Sequence, residues 1–187
     1  MGRVLGRDPD ELPGQRRSCS NRAMDDRLRR MSPGDREVLR RVRLAALADA
    51  PRAFCGIYDV EAEWGAERWD ARLASNVARV ETAGFFAMSG GRECGMVVGV
   101  CRPEDAVDLN AMWVAPAARG LGVGRALVAA VCGWAEELGR TRVTLSVLDG
   151  NPAAEALYRR CGFRVVESRA VEVAGEARTE THMERAV

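Results

Sequence analysis

Residues 114–128 read VAPAARGLGVGRALV, and this stretch decides the fold. An apolar strand, residues 109–114 (LNAMWV), runs into a proline and two small residues. Arg119 then introduces glycines at alternate positions, Gly120, Gly122 and Gly124, and an apolar helical run follows at once. Glycine has no Cβ, so backbone N–H groups there can crowd round an anion. The first N–H groups of a helix lack internal partners, and the helix dipole adds partial positive charge. A strand–loop–helix unit of this kind is built to hold a phosphate or pyrophosphate.

Several phosphate loops share that logic. A Walker A loop needs a lysine before its final hydroxyl residue, and this chain contains no lysine. A dinucleotide-binding fingerprint needs G-x-G-x-x-G and an acid at the end of the next strand. Here the spacing is G-x-G-x-G, and the next strand, residues 141–147 (TRVTLSV), carries no acid. There remain the pattern [RQ]-x-x-G-x-[GA], filled by Arg119, Gly122 and Gly124, and a plain strand-to-helix turn without a ligand.

A second motif bears on that choice. Residues 151–163 read NPAAEALYRRCGF. With the first loop, this segment resembles the GCN5-related N-acetyltransferase (GNAT) superfamily, whose pattern N-x-x-A-x-x-L-Y-x-x-x-G-F is met at Asn151, Ala154, Leu157, Tyr158, Gly162 and Phe163. One helix, a Gly139 stop and one strand fit between the motifs, as in that family. The resemblance extends more loosely from about Met31 to the C-terminus.

It implies a mixed α/β fold: a mostly antiparallel sheet of six to seven strands with four helices. The fourth and fifth strands splay apart at the acyl-CoA site. It also implies acetyl-CoA as co-substrate, no metal, and transfer of an acetyl group to a primary amine. The backbone of Met112, Trp113 and Val114 would pair with the pantetheine arm. Arg119, Gly120, Leu121, Gly122, Val123, Gly124 and Arg125 would wrap the pyrophosphate, and Asn151 would lie near the cofactor. Tyr158 matches the usual general acid that protonates the leaving sulfur. Asp108 aligns with the glutamate base of the histone-type branch and is one methylene shorter. In the branch acting on ribosomal-protein N-termini the fifth strand reads L-E-V; here it reads Leu145-Ser146-Val147, which weakens that reading. Acceptor recognition falls on the first two helices, their connection and the last hairpin. Phe54, Tyr58, Asp59, Glu61, Glu63, Trp64 and Glu67 there suggest an acidic, aromatic mouth for a small cationic amine. The rivals are a protein lysine or N-terminal acetyltransferase and a non-catalytic acyl-CoA-binding module; a homodimer is left open.

Composition sets the outer limits. At 187 residues, 47% hydrophobic and 29% charged, the chain fits a soluble globular protein. A net charge of +1 implies no general attraction to nucleic acid or membrane surfaces. No apolar run approaches the ~20 residues of a membrane span, and no secretory h-region is present, so the expected location is the cytoplasm. Six cysteines without a C-x-x-C pair and a single histidine offer no zinc spacing. Cys161 reads as a helix-end packing residue and His182 as structural.

Residues 1–24 read as a disordered tail and 25–187 as one domain. A short strand is expected near Leu28 to Met31. Ser32 to Asp35 carries the N-cap, proline and acid of a helix start. That helix would run from Arg36 to Ala48, with Val38, Val42, Leu44, Ala45 and Leu47 on its apolar face. One helical region follows over Asp59 to Ala74. Then come a hairpin turning at Ser89 to Arg92, a strand from Val107 to Val114, a helix over Leu121 to Leu138 and a strand from Val143 to Leu148. Pro152 to Cys161 forms a helix capped by Asn151, and the strands Arg164 to Val173 and Arg178 to Arg185 join across Gly175.

Overall fold

A computed structural model describes residues 28–54, 56–78, 80–173 and 175–187. The tail expected over residues 1–24 lies outside these. Seven strands form one mixed sheet: β1 (Leu28–Arg30), β2 (Thr82–Ser89), β3 (Arg92–Arg102), β4 (Ala106–Val114), β5 (Arg142–Leu148), β6 (Arg164–Val173) and β7 (Glu176–Ala186). Their spatial order is β1-β2-β3-β4-β5-β7-β6. All neighbours are antiparallel except β4 and β5.

Five α-helices complete the described fold: α1 (Arg36–Asp49), α2 (Tyr58–Ala62), α3 (Ala66–Asn76), α4 (Val123–Glu137) and α5 (Pro152–Arg160). The expected count was four. The single region expected over Asp59 to Ala74 is broken at Glu63–Gly65, where the chain leaves helical geometry and Gly65 becomes the N-cap of α3. No helix among the described residues is long and apolar enough to cross a membrane.

The two faces of the sheet bury separate cores. On one, Leu127, Val128, Val131, Trp134 and Ala135 of α4 pack on Val107, Leu109, Val143, Leu145, Val147 and Met183. On the other, Leu39, Val42 and Ala46 of α1 and Trp69 and Leu73 of α3 cover Phe86, Met96 and Trp113. None of this second cluster's buried residues comes from β5 or β7. The inner face of α1 also differs from expectation. Leu39, Val42, Arg43, Ala46 and Leu47 are buried, while Ala45 is exposed. The phase was misread because a buried charge, Arg43, sits on the inner stripe. At the start of α1, Asp35 accepts bonds from the Ser32 N–H (2.7 Å), the Ser32 hydroxyl (2.9 Å) and Arg29 (2.6 Å).

The site is positioned by what happens in the middle of the sheet. β4 and β5 pair only at Ala106↔Arg142, Val107↔Val143 and Asp108↔Thr144. Just beyond, two residues of β4 (Ala111 and Met112) lie between the paired Asn110 and Trp113, opposite one residue of β3 (Val97) between Val98 and Met96. The extra residue is a β-bulge, with Ala111 at φ 51°. Bulges bend a strand and raise its twist, and here the bulge lies where β4 leaves β5.

Candidate active site

The loop after β4 is shaped by backbone rather than side chains. Pro116–Ala118 make one 3-10 turn, and Gly120 and Gly122 then adopt φ of 75° and 83°. A side chain in that region costs roughly 1–2 kcal/mol. Gly122 precedes α4, and no side chain caps the helix there. The first N–H of α4 to reach a backbone acceptor is that of Ala126, on the Gly122 carbonyl at 3.1 Å. The N–H groups of Val123, Gly124 and Arg125 have no acceptor among the described residues. Gly124 meets a different demand, since a Cβ would sit 2.9 Å from Leu157 Cδ2 and 3.4 Å from Met112 Cε. Open space beside Gly120, free donors on α4 and the helix dipole fit a phosphate-bearing group.

Arg119, the charged residue of the loop motif, turns away from this cradle. Its Nε donates to the Val114 carbonyl at 3.1 Å, and its Nη2 pairs with Asp49 at the end of α1. Asp49 also accepts from Trp113 Nε1 at 2.9 Å. One carboxylate thus ties α1 to both the end of β4 and the loop. The sequence reading missed Asp49, because no local pattern marks a partner 64 and 70 residues away. Leu121 is largely exposed, and Arg125 has no acidic partner among the described residues.

Val114 pairs with Gly95, and Trp113 with Met96, on the β3 side only. Toward β5, the backbone of β4 beyond Asp108 has no strand partner. The Trp113 ring belongs to the core under α1 and α3, so only its backbone faces the parting. An unpaired edge leading directly into the N–H cradle fits an extended amide chain ending in a pyrophosphate.

α5 closes against this loop. Asn151 caps it, its Oδ1 accepting from the Ala154 N–H at 3.2 Å. Leu157 lies against Gly124, and Tyr158 belongs to the core cluster that also holds Val123, Leu127 and Val128 of α4. Tyr158 is only 6% exposed, and its ring meets Phe163 edge-on at 5.8 Å. Burial raises its hydroxyl pKa well above the ordinary value, and nearby Cys161 adds to the shift. The phenol therefore remains protonated at neutral pH and can act as a donor. Its hydroxyl has no hydrogen-bond partner among the described residues.

Asp108 occupies the joint where β4 and β5 part. Its carboxylate accepts from Arg102 Nη2 (2.9 Å), Asn110 Nδ2 (3.1 Å) and Thr144 Oγ1 (3.2 Å). Two residues on, the Ser146 hydroxyl lies 3.0 Å from His182 Nδ1. His182 Nε2 is 3.0 Å from the Glu180 carboxylate. His182 has one hydrogen bond, through Nδ1, while its buried Nε2 makes none among the described residues.

The region expected to form an acidic mouth is different. Glu61 is buried, and Arg43 grips it with two bonds of 3.0 and 2.8 Å. Its charge is neutralised, so it does not belong to an acidic mouth. Phe54 lies 4.9 Å below the Arg43 guanidinium. Trp69 is core, with Trp64 tilted against it at 5.2 Å. Asp59, Glu63, Glu67 and Tyr58 are exposed.

A mixed sheet parted between two parallel strands, with free N–H donors at the parting, fits the class of acyl-CoA-dependent transferases. The model of the acetyltransferase (GNAT) family matches residues 45–163, and the chain belongs to that family. The chain is 35% identical over 119 residues to a mycothiol acetyltransferase of Geodermatophilus obscurus, covering 60% of this chain and 38% of that protein's length. Two solved structures share the fold. A phosphinothricin acetyltransferase from Sinorhizobium meliloti in complex with AcCoA has a TM-score of 0.71 at 18% identity, covering 86% of this chain and 87% of that one. A spermidine N-acetyltransferase from Vibrio cholerae in complex with CoA and spermine has a TM-score of 0.70 at 16% identity, covering 85% and 94%.

Proposed function

We propose that the protein is an acetyl-CoA-dependent N-acetyltransferase that acylates a primary amine of a small molecule by direct transfer in a ternary complex. The observation that carries the reading is the unpaired β4 edge running into the N–H cradle of α4, with a protonated Tyr158 beside it. Acetyl-CoA, when bound, supplies an activated acetyl thioester. Met112, Trp113 and Val114 hold its amide arm through the β4 backbone, and Gly120 to Arg125 hold its pyrophosphate. Asn151 fixes the start of α5, and Tyr158 delivers a proton to the leaving thiolate. Positioned proton transfer of this kind is worth about 10²–10⁴ in rate. Asp108, with three donors already on its carboxylate, takes the amine proton through a water. Residues 25–187 act as the catalytic domain.

A small-molecule acceptor is favoured by the relatives named for mycothiol, phosphinothricin and spermidine. Ser146, standing where the N-terminal-acetylating branch carries glutamate, disfavours a protein N-terminus. The test is a panel of small amines and of lysine and N-terminal peptides, with acetyl-CoA and detection of free thiol. Release of CoA only with small amines is expected. Turnover confined to peptides would replace the acceptor class, and tight CoA binding with no turnover on any amine would make the protein a binding module.

A further inference from the structure

A cavity of about 410 Å³ opens between α4 and the end of α5, lined by Arg125, Val128, Ala129, Arg160, Cys161 and Arg185. Three guanidinium groups share it, and no carboxylate lines it. Arg125 and Arg160 have no hydrogen-bond or ion-pair partner among the described residues. Arg185 makes one bond, to the neutral Cys161 carbonyl at 3.0 Å. The charges acting on the Cys161 thiol are those of the same three arginines. Arg125 and Arg160 are exposed, so solvent screens their repulsion, and an anion held between the three side chains would meet no competing carboxylate in the lining.

The cavity's place along the helix narrows the choice of anion. Arg125 directly follows Gly124 of the cradle, and Val128 and Ala129 lie one turn on, about 5 Å along the helix. A pyrophosphate in the cradle has two substituents. The pantetheine arm follows β4, so the nucleoside leaves on the other side, and the cavity begins there. The coenzyme's ribose carries a 3′-phosphate, a monoester with charge near −2 at neutral pH. Arginine presents paired donors suited to phosphate oxygens.

We propose that Arg125, Arg160 and Arg185 form the binding site for the 3′-phosphate of coenzyme A, so that the protein distinguishes the coenzyme from its 3′-dephospho form. The inference rests on the cofactor reading above. It assigns a use to Arg160 and Arg185, and it converts Arg125 from a pyrophosphate contact into a bridge between the two phosphate sites.

Calorimetric dissociation constants for CoA and 3′-dephospho-CoA, on the full chain, test it. The wild type should prefer CoA by about 10- to 100-fold, the range for hydrogen bonds to a charged group. In Arg160→Gln and Arg185→Gln that preference should shrink to a few-fold, while affinity for 3′-dephospho-CoA stays unchanged and reports an intact cradle. Equal wild-type affinity for both compounds would overturn the proposal and leave the cofactor reading standing. Binding of neither would overturn both. A preference that survives in both variants would place the phosphate elsewhere and also overturn it.

Discussion

The two ends of the active-site region follow opposite plans. From Val114 to Arg125 the proposed phosphate cradle is made of backbone, and its signature arginine points away to Asp49. From Phe54 to Trp69 the region proposed to face the acceptor is made of side chains, with a buried Arg43–Glu61 pair against it. A backbone site restricts sequence strongly, because glycine is much the least strained residue at the φ of Gly120 and Gly122 and alone leaves room at the close approach of Gly124. A side-chain site can be met by many combinations. The cofactor is therefore readable from the chain and the acceptor is not.

Four changes probe this contrast, the largest expected effect first. Gly122→Glu forces a side chain onto a φ of 83° and sets a carboxylate where phosphate is expected. CoA binding should disappear in calorimetry, and retained binding would show that the loop is not the cradle. Tyr158→Phe should lower turnover by about 10²–10⁴ with CoA affinity kept; an unchanged rate would remove Tyr158 from the chemistry. The same variant has a signature in stability. Native Tyr158 holds its proton above the ordinary value of 10.0, whereas the unfolded chain releases it there. Its contribution is full below that pH and is lost as pH rises further, so Tyr158→Phe should flatten the alkaline fall in unfolding free energy.

On the acceptor side, Glu61→Ala leaves Arg43 buried and unpaired, and should cost about 3–5 kcal/mol in denaturant unfolding. A loss below 1 kcal/mol would mean that the pair is solvated and that Glu61 is free to serve the acceptor. The smallest effect is expected of Asn151→Ala, about 1 kcal/mol for a lost cap. If its effect on the KM for acetyl-CoA far exceeds that on stability, the asparagine touches the cofactor as well as the helix.

The order of elements was legible because each boundary carries its own chemistry. Asn151 caps α5, Gly139 ends the run after α4, and Gly90-Gly91 turn the β2–β3 hairpin. The errors have physical causes too. Arg43 on the inner stripe of α1 blurred its phase, since a buried charge is intelligible only once Glu61 is seen opposite. The break at Glu63–Gly65 was read through because Trp64, Trp69 and Leu73 suggest one continuous helix. The bulge at Ala111 left no trace, as alanine at positive φ obeys no local rule. Asp49, Arg160 and Arg185 escaped notice because each gains its meaning from a partner distant in the chain.

The brief pairing of β4 with β5 gives the centre of the sheet an unusual property. Topologically β4 is an interior strand, but from Leu109 onward its β5-facing amides have no strand to protect them. In hydrogen exchange they should behave like the rim of a sheet, while the amides bonded to β3 exchange slowly. Other proteins cover such open edges to avoid adhesion to foreign chains. Here the edge opens between two strands of one sheet, and in the proposed function its cover is the extended amide arm of the co-substrate.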